Sequence, residues 1–111
     1  MTSTGQVGTE QMGFRALADP TRRSILQLLA KNDMTIAEVA DNFQMTRAAV
    51  KKHLTILNDG DLISVRAIGR SRVNTLNADG IKRVFDWLSY FDVFWDDRLN
   101  KLKTEIEKDI K

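Results

Sequence analysis

Residues 35–57, TIAEVADNFQMTRAAVKKHLTIL, have the pattern of two short amphipathic helices joined by a tight turn. Thr35 and Glu38 have the spacing of a capping box, in which each side chain bonds the backbone of the other, so a helix is predicted to begin at Ile36. The apolar residues recur every three or four positions and form one stripe: Ile36, Val39, Ala40 and Phe43. This first helix therefore has one face suited to a protein core.

A second helix is predicted directly after a turn at Gln44 and Met45. Thr46 is its N-cap candidate, because a threonine hydroxyl can accept a bond from a free backbone N–H of the first turn. Its inward stripe is Val50, Leu54 and Leu57. Gly60 is well placed to end the helix in a left-handed conformation. Two helices with this spacing predict a helix-turn-helix, in which the second helix enters the major groove of DNA.

The outer face of the second helix carries side chains that suit a DNA duplex. At about 100° per residue, four residues point away from the core, with Arg47 on the flank and Thr46 at the N-terminus: Ala48, Lys51, Lys52 and Thr55. The cations can neutralise phosphates or reach guanine edges, the hydroxyls can bond phosphate or base, and the small alanine permits a close approach. The alternative is an ordinary surface helix whose lysines confer solubility.

Composition indicates one small domain. The chain has 111 residues, of which 42% are apolar, and this is enough for a single core. It has no cysteine, which excludes disulfides, zinc fingers and thiol redox sensing. No apolar run approaches membrane-spanning length. Residues 1–12 lack the pattern of a signal peptide and are predicted to be a flexible tail before a domain at residues 13–111. We therefore expect a cytoplasmic protein.

The distribution of charge is more informative than the net charge of +2. Residues 46–73 hold six cations and two anions, whereas residues 86–111 hold seven anions and five cations. A locally basic segment is the footprint expected of a DNA-binding face. The sequence therefore places that face in the middle of the chain and not in its last third.

A further helix precedes the motif. Asp19 and Pro20 are an N-cap followed by proline at the first helical position, which is a strong start signal. Arg22 and Arg23 follow in the first turn, where the helix dipole disfavours cations. We expect a partner that offsets this cost, either a carboxylate such as Asp19 or Glu38, or a DNA phosphate.

After the helix-turn-helix, the apolar period changes from 3.6 to 2. Residues 62–67 and 72–76 read as two strands around Gly69, which can supply the positive φ of a tight hairpin. A hairpin directly after a recognition helix is the wing of a winged-helix domain. Its three arginines are predicted to cluster near the tip and to contact phosphates or a minor groove: Arg66, Arg70 and Arg72. The alternative is an ordinary solvated hairpin tip.

Residues 78–108 are predicted to form one long helix with an apolar seam in steps of four and three. A winged-helix core is too small to cover this surface. We therefore expect this helix and a short helix at residues 13–18 to pack on their copies in a twofold homodimer. The predicted interface comprises Phe14, Leu17, Leu88, Phe91, Trp95, Leu99 and Leu102. The alternative is a helix that folds back on its own domain.

Three segments within residues 14–76 together resemble the ArsR-type (ArsR/SmtB) winged-helix repressors: FRALADPTRRSILQLL, TIAEVADNFQMTRAAVKKHLTILNDGDLI and VRAIGRSRVNTL. The resemblance implies a mainly α fold of about five helices with a two-stranded wing, and a homodimeric repressor acting on its own or a neighbouring promoter. The residues that match the family's base-reading region are Thr46, Arg47, Ala48 and Lys51, and those that match its wing are Arg66, Arg70 and Arg72.

The chain departs from the metal-sensing members of this family. Those members carry paired cysteines in the region that corresponds to residues 40–44, or Asp and His ligands on the last helix. This chain has no cysteine, and its single histidine, His53, matches the family's HL pair and is interpreted as a packed residue. Asp92 and Asp96 have i, i+4 spacing, but carboxylates alone favour hard ions at best. Residues 91–110 are similar to the thiol-free branch, so no metal or cofactor is expected.

An enzyme is not indicated, because the chain has no glycine-rich phosphate loop, no cysteine nucleophile and no catalytic constellation around its histidine. The sequence predicts a sequence-specific transcriptional regulator whose partners are double-stranded DNA and its own copy. Two alternatives stay open: a repressor with a hydrophobic effector at the aromatic dimer interface, and a winged-helix protein-interaction module that does not bind DNA. The operator, the regulated genes and any inducer are not given by the sequence.

Overall fold

The helix-turn-helix predicted at residues 35–57 is present in the computed structural model, and both of its predicted start signals form. The Thr35 hydroxyl accepts a bond from the Glu38 backbone N–H at 3.2 Å, and the Glu38 carboxylate accepts one from the Thr35 N–H at 2.9 Å. The Thr46 hydroxyl accepts a bond from the Ala49 N–H at 3.1 Å. These bonds satisfy N–H groups that a helix start otherwise leaves free, and so they fix where each helix begins.

Six helices and three strands form in the part of the chain that the structure describes, which is the backbone of residues 4–110 and the side chains of residues 8–108. The helices are α1 (Thr4–Leu17), α2 (Pro20–Lys31), α3 (Ile36–Phe43), α4 (Arg47–Asp59), α5 (Ala78–Ser89) and α6 (Asp92–Ile110). The strands are β1 (Met34–Thr35), β2 (Ile63–Ile68) and β3 (Ser71–Leu76). The predicted mainly α, winged helix-turn-helix fold is confirmed.

The core lies where α2, α3 and α4 meet the inner end of the wing. The largest fully buried side chains are Ile25, Val39, Val50, Leu57, Leu62 and Ile63. They come from three helices, the loop after α4 and the first residue of β2, so burial of this cluster holds α4 and the wing against one body. Because hydrophobic burial is the main stabilising contribution to a small domain, this cluster fixes the recognition helix in place.

The sheet has one strand more than the sequence predicts. Strand β1 pairs antiparallel with β3, which gives the order β1-β3-β2. The buried Asn74 amide donates to the Met34 carbonyl at 3.1 Å and helps to hold β1 in place. Two residues are too few to produce a visible alternation of apolar and polar side chains, and the sequence therefore gave no signal for this strand.

The predicted single helix at residues 78–108 is wrong, because the chain forms two helices separated at Tyr90 and Phe91. The N–H groups of these two residues donate to carbonyls three positions back, at 3.2 and 3.1 Å, as in a tightened 3₁₀ turn. The Ser89 hydroxyl also donates to the Phe85 carbonyl at 2.9 Å, a bond that bends helices. The apolar period continues through the break and so could not reveal it.

Helix α1 occupies most of the segment that the sequence predicts as a tail. It runs over Thr4–Leu17, where the sequence indicates a tail at 1–12 and a helix at 13–18; residues 1–3 lie outside the described part. Three glycines in this helix each cost about 1 kcal/mol relative to alanine, which is why the sequence favours a tail. Burial of Ala16 on the core and the close contact of Gly13 with Gly60 hold the C-terminal part of the helix against the domain.

Gly60 ends α4 without the predicted left-handed conformation. Its φ is −81°, and the left-handed residue is Asp61, with φ of 64°. Gly60 is instead a point of close approach between helices. A Cβ atom there would lie 2.9 Å from the Met12 carbonyl oxygen and 3.0 Å from the Gly13 Cα atom. The absence of a side chain therefore lets α1 pack directly on the end of α4.

Candidate nucleic-acid interface

The outer face of α4 is exposed to solvent as predicted. Its exposed side chains include all those singled out from the sequence: Arg47, Ala48, Lys51, Lys52 and Thr55. Thr46 is also exposed, and although its oxygen accepts the capping bond, its hydroxyl proton remains available to a phosphate. Asn58 shares this face and was missed by the sequence analysis. Its position seven residues after Lys51, two helical turns along, was the signal that could have found it.

The wing presents its arginines on opposite faces. Arg66 pairs with Val73 in the β2–β3 register, and partners in register share a face of the sheet. Arg72 is one position from Val73, so it lies on the other face, with Val65, toward α4. Arg70 lies at the tip beside Gly69, whose φ of 60° confirms the predicted positive φ. The expected cluster of all three arginines near the tip is therefore wrong, because strand alternation separates Arg66 from Arg72.

Arg66 is bound on the face that points away from α4. Its Nη2 atom lies 3.3 Å from Oδ2 of Asp33, and the Thr75 hydroxyl donates to the other carboxylate oxygen at 2.7 Å. Asp33 directly precedes β1, so these contacts join the wing to the start of the helix-turn-helix. Arg66 thus has an intramolecular partner on the face opposite α4, and its predicted contact with DNA remains a prediction.

The remaining cations of this surface have no acidic partner in the part of the chain that the structure describes. Ion pairs form there at His53, Arg66, Lys82 and Arg83. None forms at the cations of α4 or at the two other wing arginines: Arg47, Lys51, Lys52, Arg70 and Arg72. The helix face and the inner wing face therefore combine into one uncompensated positive surface.

The arginines at the start of α2 bind the end of α1. Arg22 Nε donates to the Ala16 carbonyl at 2.8 Å, and Arg23 Nη1 donates to the Leu17 carbonyl at 2.7 Å. Carbonyls at a helix C-terminus carry the negative end of the helix dipole, and they offset the cost of placing cations in the first turn of α2. The expected partner is therefore intramolecular: the guanidinium groups bind the end of α1, and the Asp19 carboxylate adds a favourable charge beside Arg22, whereas Glu38 takes no part.

His53 points from α4 toward α2 and is half-buried. Its Nδ1 atom lies 3.4 Å from Arg22 Nη1 and 3.9 Å from Asp19 Oδ2. Asp19 also accepts the Arg22 backbone N–H at 3.0 Å, and this bond, together with the nearby charges of Arg22 and His53, lowers the pKa of Asp19 below its usual 3.8. The position of His53 agrees with its interpretation as a packed residue.

Most large apolar residues of α5 and α6 are exposed, whereas Ile81 and Val84 of α5 pack against the core of the domain. The exposed fractions along the predicted seam are 54% for Leu88, 37% for Phe91, 60% for Trp95, 61% for Leu99 and 54% for Leu102. Phe14 of α1 joins this face through an edge-on contact with Trp87, with ring centroids 5.3 Å apart. Leu17 is partly buried against the core of its own domain, and its predicted role in the dimer interface remains a prediction.

The described residues form neither a metal site nor a membrane-spanning helix. No group of three His, Asp or Glu side chains there converges as a metal site would require. None of the helices there combines the length and the apolar character needed to cross a bilayer. Asp92 and Asp96, the two carboxylates with i, i+4 spacing, are exposed on α6, and so is the adjacent Asp97.

Comparison with known sequences places this surface in context. The profile of a family described as "Bacterial regulatory protein, arsR family" matches residues 19–65. The chain is 35% identical over 78 residues to the transcriptional repressor SdpR of Bacillus subtilis, covering 70% of this chain and 87% of that protein. It is also 35% identical over 82 residues to the HTH-type transcriptional regulator Rv2034 of Mycobacterium tuberculosis, covering 74% of each.

Two solved structures match most of this chain. An ArsR-like transcriptional regulator from Rhodococcus sp. RHA1 matches with a TM-score of 0.71 at 27% identity, covering 91% of this chain and 95% of that one. The homodimeric winged helix-turn-helix DNA-binding domain Mb0332 from Mycobacterium bovis matches with a TM-score of 0.67 at 22% identity, covering 88% of each chain. The second likeness supports the fold alone.

Proposed function

The chain belongs to the ArsR family of bacterial regulatory proteins, and from this premise we propose that it is a transcriptional repressor that binds operator DNA as a homodimer. One observation carries the proposal. Five cations on α4 and the wing are exposed and lack acidic partners in the described part of the chain, although the net charge of the whole chain is only +2. A phosphate backbone supplies the missing negative charge.

The proposed dimer uses two parts of the domain at residues 13–111. The exposed apolar residues of α5 and α6, with Phe14 of α1, pack on their copies. The two α4 helices then enter successive major grooves, about 34 Å apart. Thr46, Arg47 and Ala48 approach base edges, and Arg70 at the wing tip reaches the flanking backbone or minor groove. A dimer seated on its own or a neighbouring promoter represses by competing with polymerase.

The two alternative functions are a winged helix that binds only protein and a repressor released by a hydrophobic effector. A winged helix that binds only protein has no need for unpaired cations on both α4 and the wing, so the geometry argues against it. A repressor released by a hydrophobic effector has weaker support, because the cavity of about 340 Å³ on the proposed dimer face is lined by the polar Glu10 and Gln11 as well as by Phe14 and Trp87. Effector response would modify DNA binding and would not replace it.

The test is binding of the purified protein to its own promoter fragment and to a scrambled duplex, followed by fluorescence anisotropy at about 150 mM salt. Tight binding to the promoter that weakens with salt and exceeds binding to the scrambled duplex supports a specific repressor. Equal, weak binding to both duplexes rejects autoregulation and moves the search to neighbouring promoters. No binding to either duplex overturns the proposal.

A further inference from the structure

A cleft of about 210 Å³ separates α4 from the wing, and its two walls carry different elements of the proposed DNA surface. Lys51, Thr55 and Asn58 form the wall on α4, and Val65 and Arg72 belong to the wall on the wing. We call it the strand cleft. It opens between the helix proposed to enter the major groove and the hairpin proposed to reach the neighbouring minor groove, which is where one strand of a duplex must pass.

The register of the wing explains why Arg72 faces this cleft. Ile63, Val65 and Arg72 belong to one face of the hairpin, because successive strand residues alternate and partners in register share a face. Ile63 is buried in the core, Val65 is 41% exposed and Arg72 is exposed. The inner face of the wing is therefore buried at Ile63 and exposed at Val65 and Arg72, where it forms one wall of the cleft.

The charges of the strand cleft are unbalanced. Lys51 and Arg72 line the same small space from opposite walls, and neither has an acidic partner in the described residues. Two cations held near each other repel, and an anion between them removes that repulsion and adds attraction to both. The Thr55 hydroxyl and the Asn58 amide add hydrogen-bond donors. The half-exposed Val65 offers an apolar surface for a sugar ring.

We propose that the strand cleft binds one backbone phosphate and its deoxyribose, with Lys51 and Arg72 contacting the same phosphate from the two walls. The proposal rests on the proposed DNA-binding function and assigns Lys51 to the backbone, where the family resemblance places it among base-reading residues. Arg70 and Lys52 lie outside the cleft and contact other phosphates. A phosphate held between Lys51 and Arg72 then sets the distance between α4 and the wing on DNA.

The experiment uses the bound promoter fragment, made as a series of duplexes that each carry one methylphosphonate linkage and so lack one phosphate charge. In wild type, we expect several linkages to be sensitive, one for each contacted phosphate, and the linkage in the strand cleft to weaken binding about tenfold in each half-site, the loss expected from a charge-assisted hydrogen bond. Lys51→Gln and Arg72→Gln should each weaken binding to the unmodified duplex. Both variants should also lose their sensitivity to methylphosphonate at that same position.

Lys52→Gln and Arg70→Gln are the matched controls, since each removes one exposed cation outside the cleft. They should keep the wild-type sensitivity at the shared position. If Lys51→Gln and Arg72→Gln lose sensitivity at different phosphates, or at none, the shared phosphate is overturned while DNA binding stands. If wild type binds no duplex, the proposed function itself fails, and this is visible before any substitution is made. Melting curves of the variants should match wild type, because both side chains are exposed.

Discussion

At the scale of single residues, hydrogen bonds to the hydroxyls of Thr35 and Thr46 fix where the two helices of the helix-turn-helix begin. The cap bonds of Thr35 and Thr46 follow from local hydrogen-bond chemistry, which short sequence patterns encode. Short patterns do not encode the left-handed backbone conformation of Gln44 and Asp61. These residues adopt φ of 53° and 64°, where glycine is the usual signal. Gly60 marked a close helix contact instead, and that contact depends on α1, which is distant in sequence.

The left-handed conformation of Gln44 gives a stability prediction. Gln44→Gly should raise the free energy of unfolding by about 0.5 kcal/mol, because relief of about 1–2 kcal/mol of left-handed strain exceeds the gain of about 0.4–1 kcal/mol in unfolded-state entropy. Urea denaturation measures the change. Gln44→Ala is the control, since alanine keeps the strain and should be no more stable than wild type. Equal effects of glycine and alanine would show that the turn is not strained.

The lowered pKa of Asp19 predicts a contribution to stability that depends on pH. Its carboxylate accepts the Arg22 N–H, so folding favours the charged form and the folded pKa lies below the usual 3.8. The contribution is complete above the unfolded pKa and is lost as pH falls through the folded one. Asp19→Asn keeps a capping oxygen without titrating. The stability advantage of wild type over this variant should therefore shrink below pH 3.8 in urea titrations; a constant difference would contradict the assignment.

At the scale of elements, hairpin periodicity predicted the wing, but not what its faces touch. Alternation places Arg66 and Arg72 on opposite faces once the register is known, yet the register depends on the turn at Gly69 and on pairing with β1. The contact of Arg66 with Asp33 spans 33 positions, and no local pattern encodes it. The helix break at Tyr90 could not be predicted either, because the apolar residues keep their helical spacing across the break while the backbone hydrogen bonds change.

Loss of the ion pair between Asp33 and Arg66 should lower the stability of the protein without changing the number of its phosphate contacts. Asp33→Asn and Arg66→Gln should each lower the free energy of unfolding by no more than about 1 kcal/mol, the range for an exposed ion pair. Neither change should alter the slope of log affinity against log salt, because Arg66 is held away from the DNA surface. If Arg66→Gln alone lowers the slope by about 0.9, the loss of one phosphate contact, then Arg66 does bind DNA.

At the scale of the whole molecule, the domain leaves most of the large apolar side chains of α5 and α6 uncovered. The sequence predicted this from the apolar seam, and the structure agrees, since every described side chain of α6 is exposed. Aromatic residues exposed at 49–62%, such as Trp87, Phe94, Trp95 and Phe85, favour association over solvation. What periodicity could not give is the angle between α5 and α6, which the 3₁₀ turn at Tyr90 sets.

Trp95 tests whether this surface makes the dimer on which DNA binding depends. Trp95→Glu places a charge in the centre of the α6 seam, so the variant should sediment as a monomer. A monomer engages one half-site at a time and loses the gain from linked binding, so promoter affinity should fall at least about 100-fold.

Asn100→Glu is the matched control, since it introduces the same charge five positions on, about 140° around the helix from Trp95. It should remain a dimer with wild-type affinity. A Trp95→Glu protein that sediments as a dimer would place the interface elsewhere, and a monomer with undiminished affinity would separate dimerisation from DNA binding.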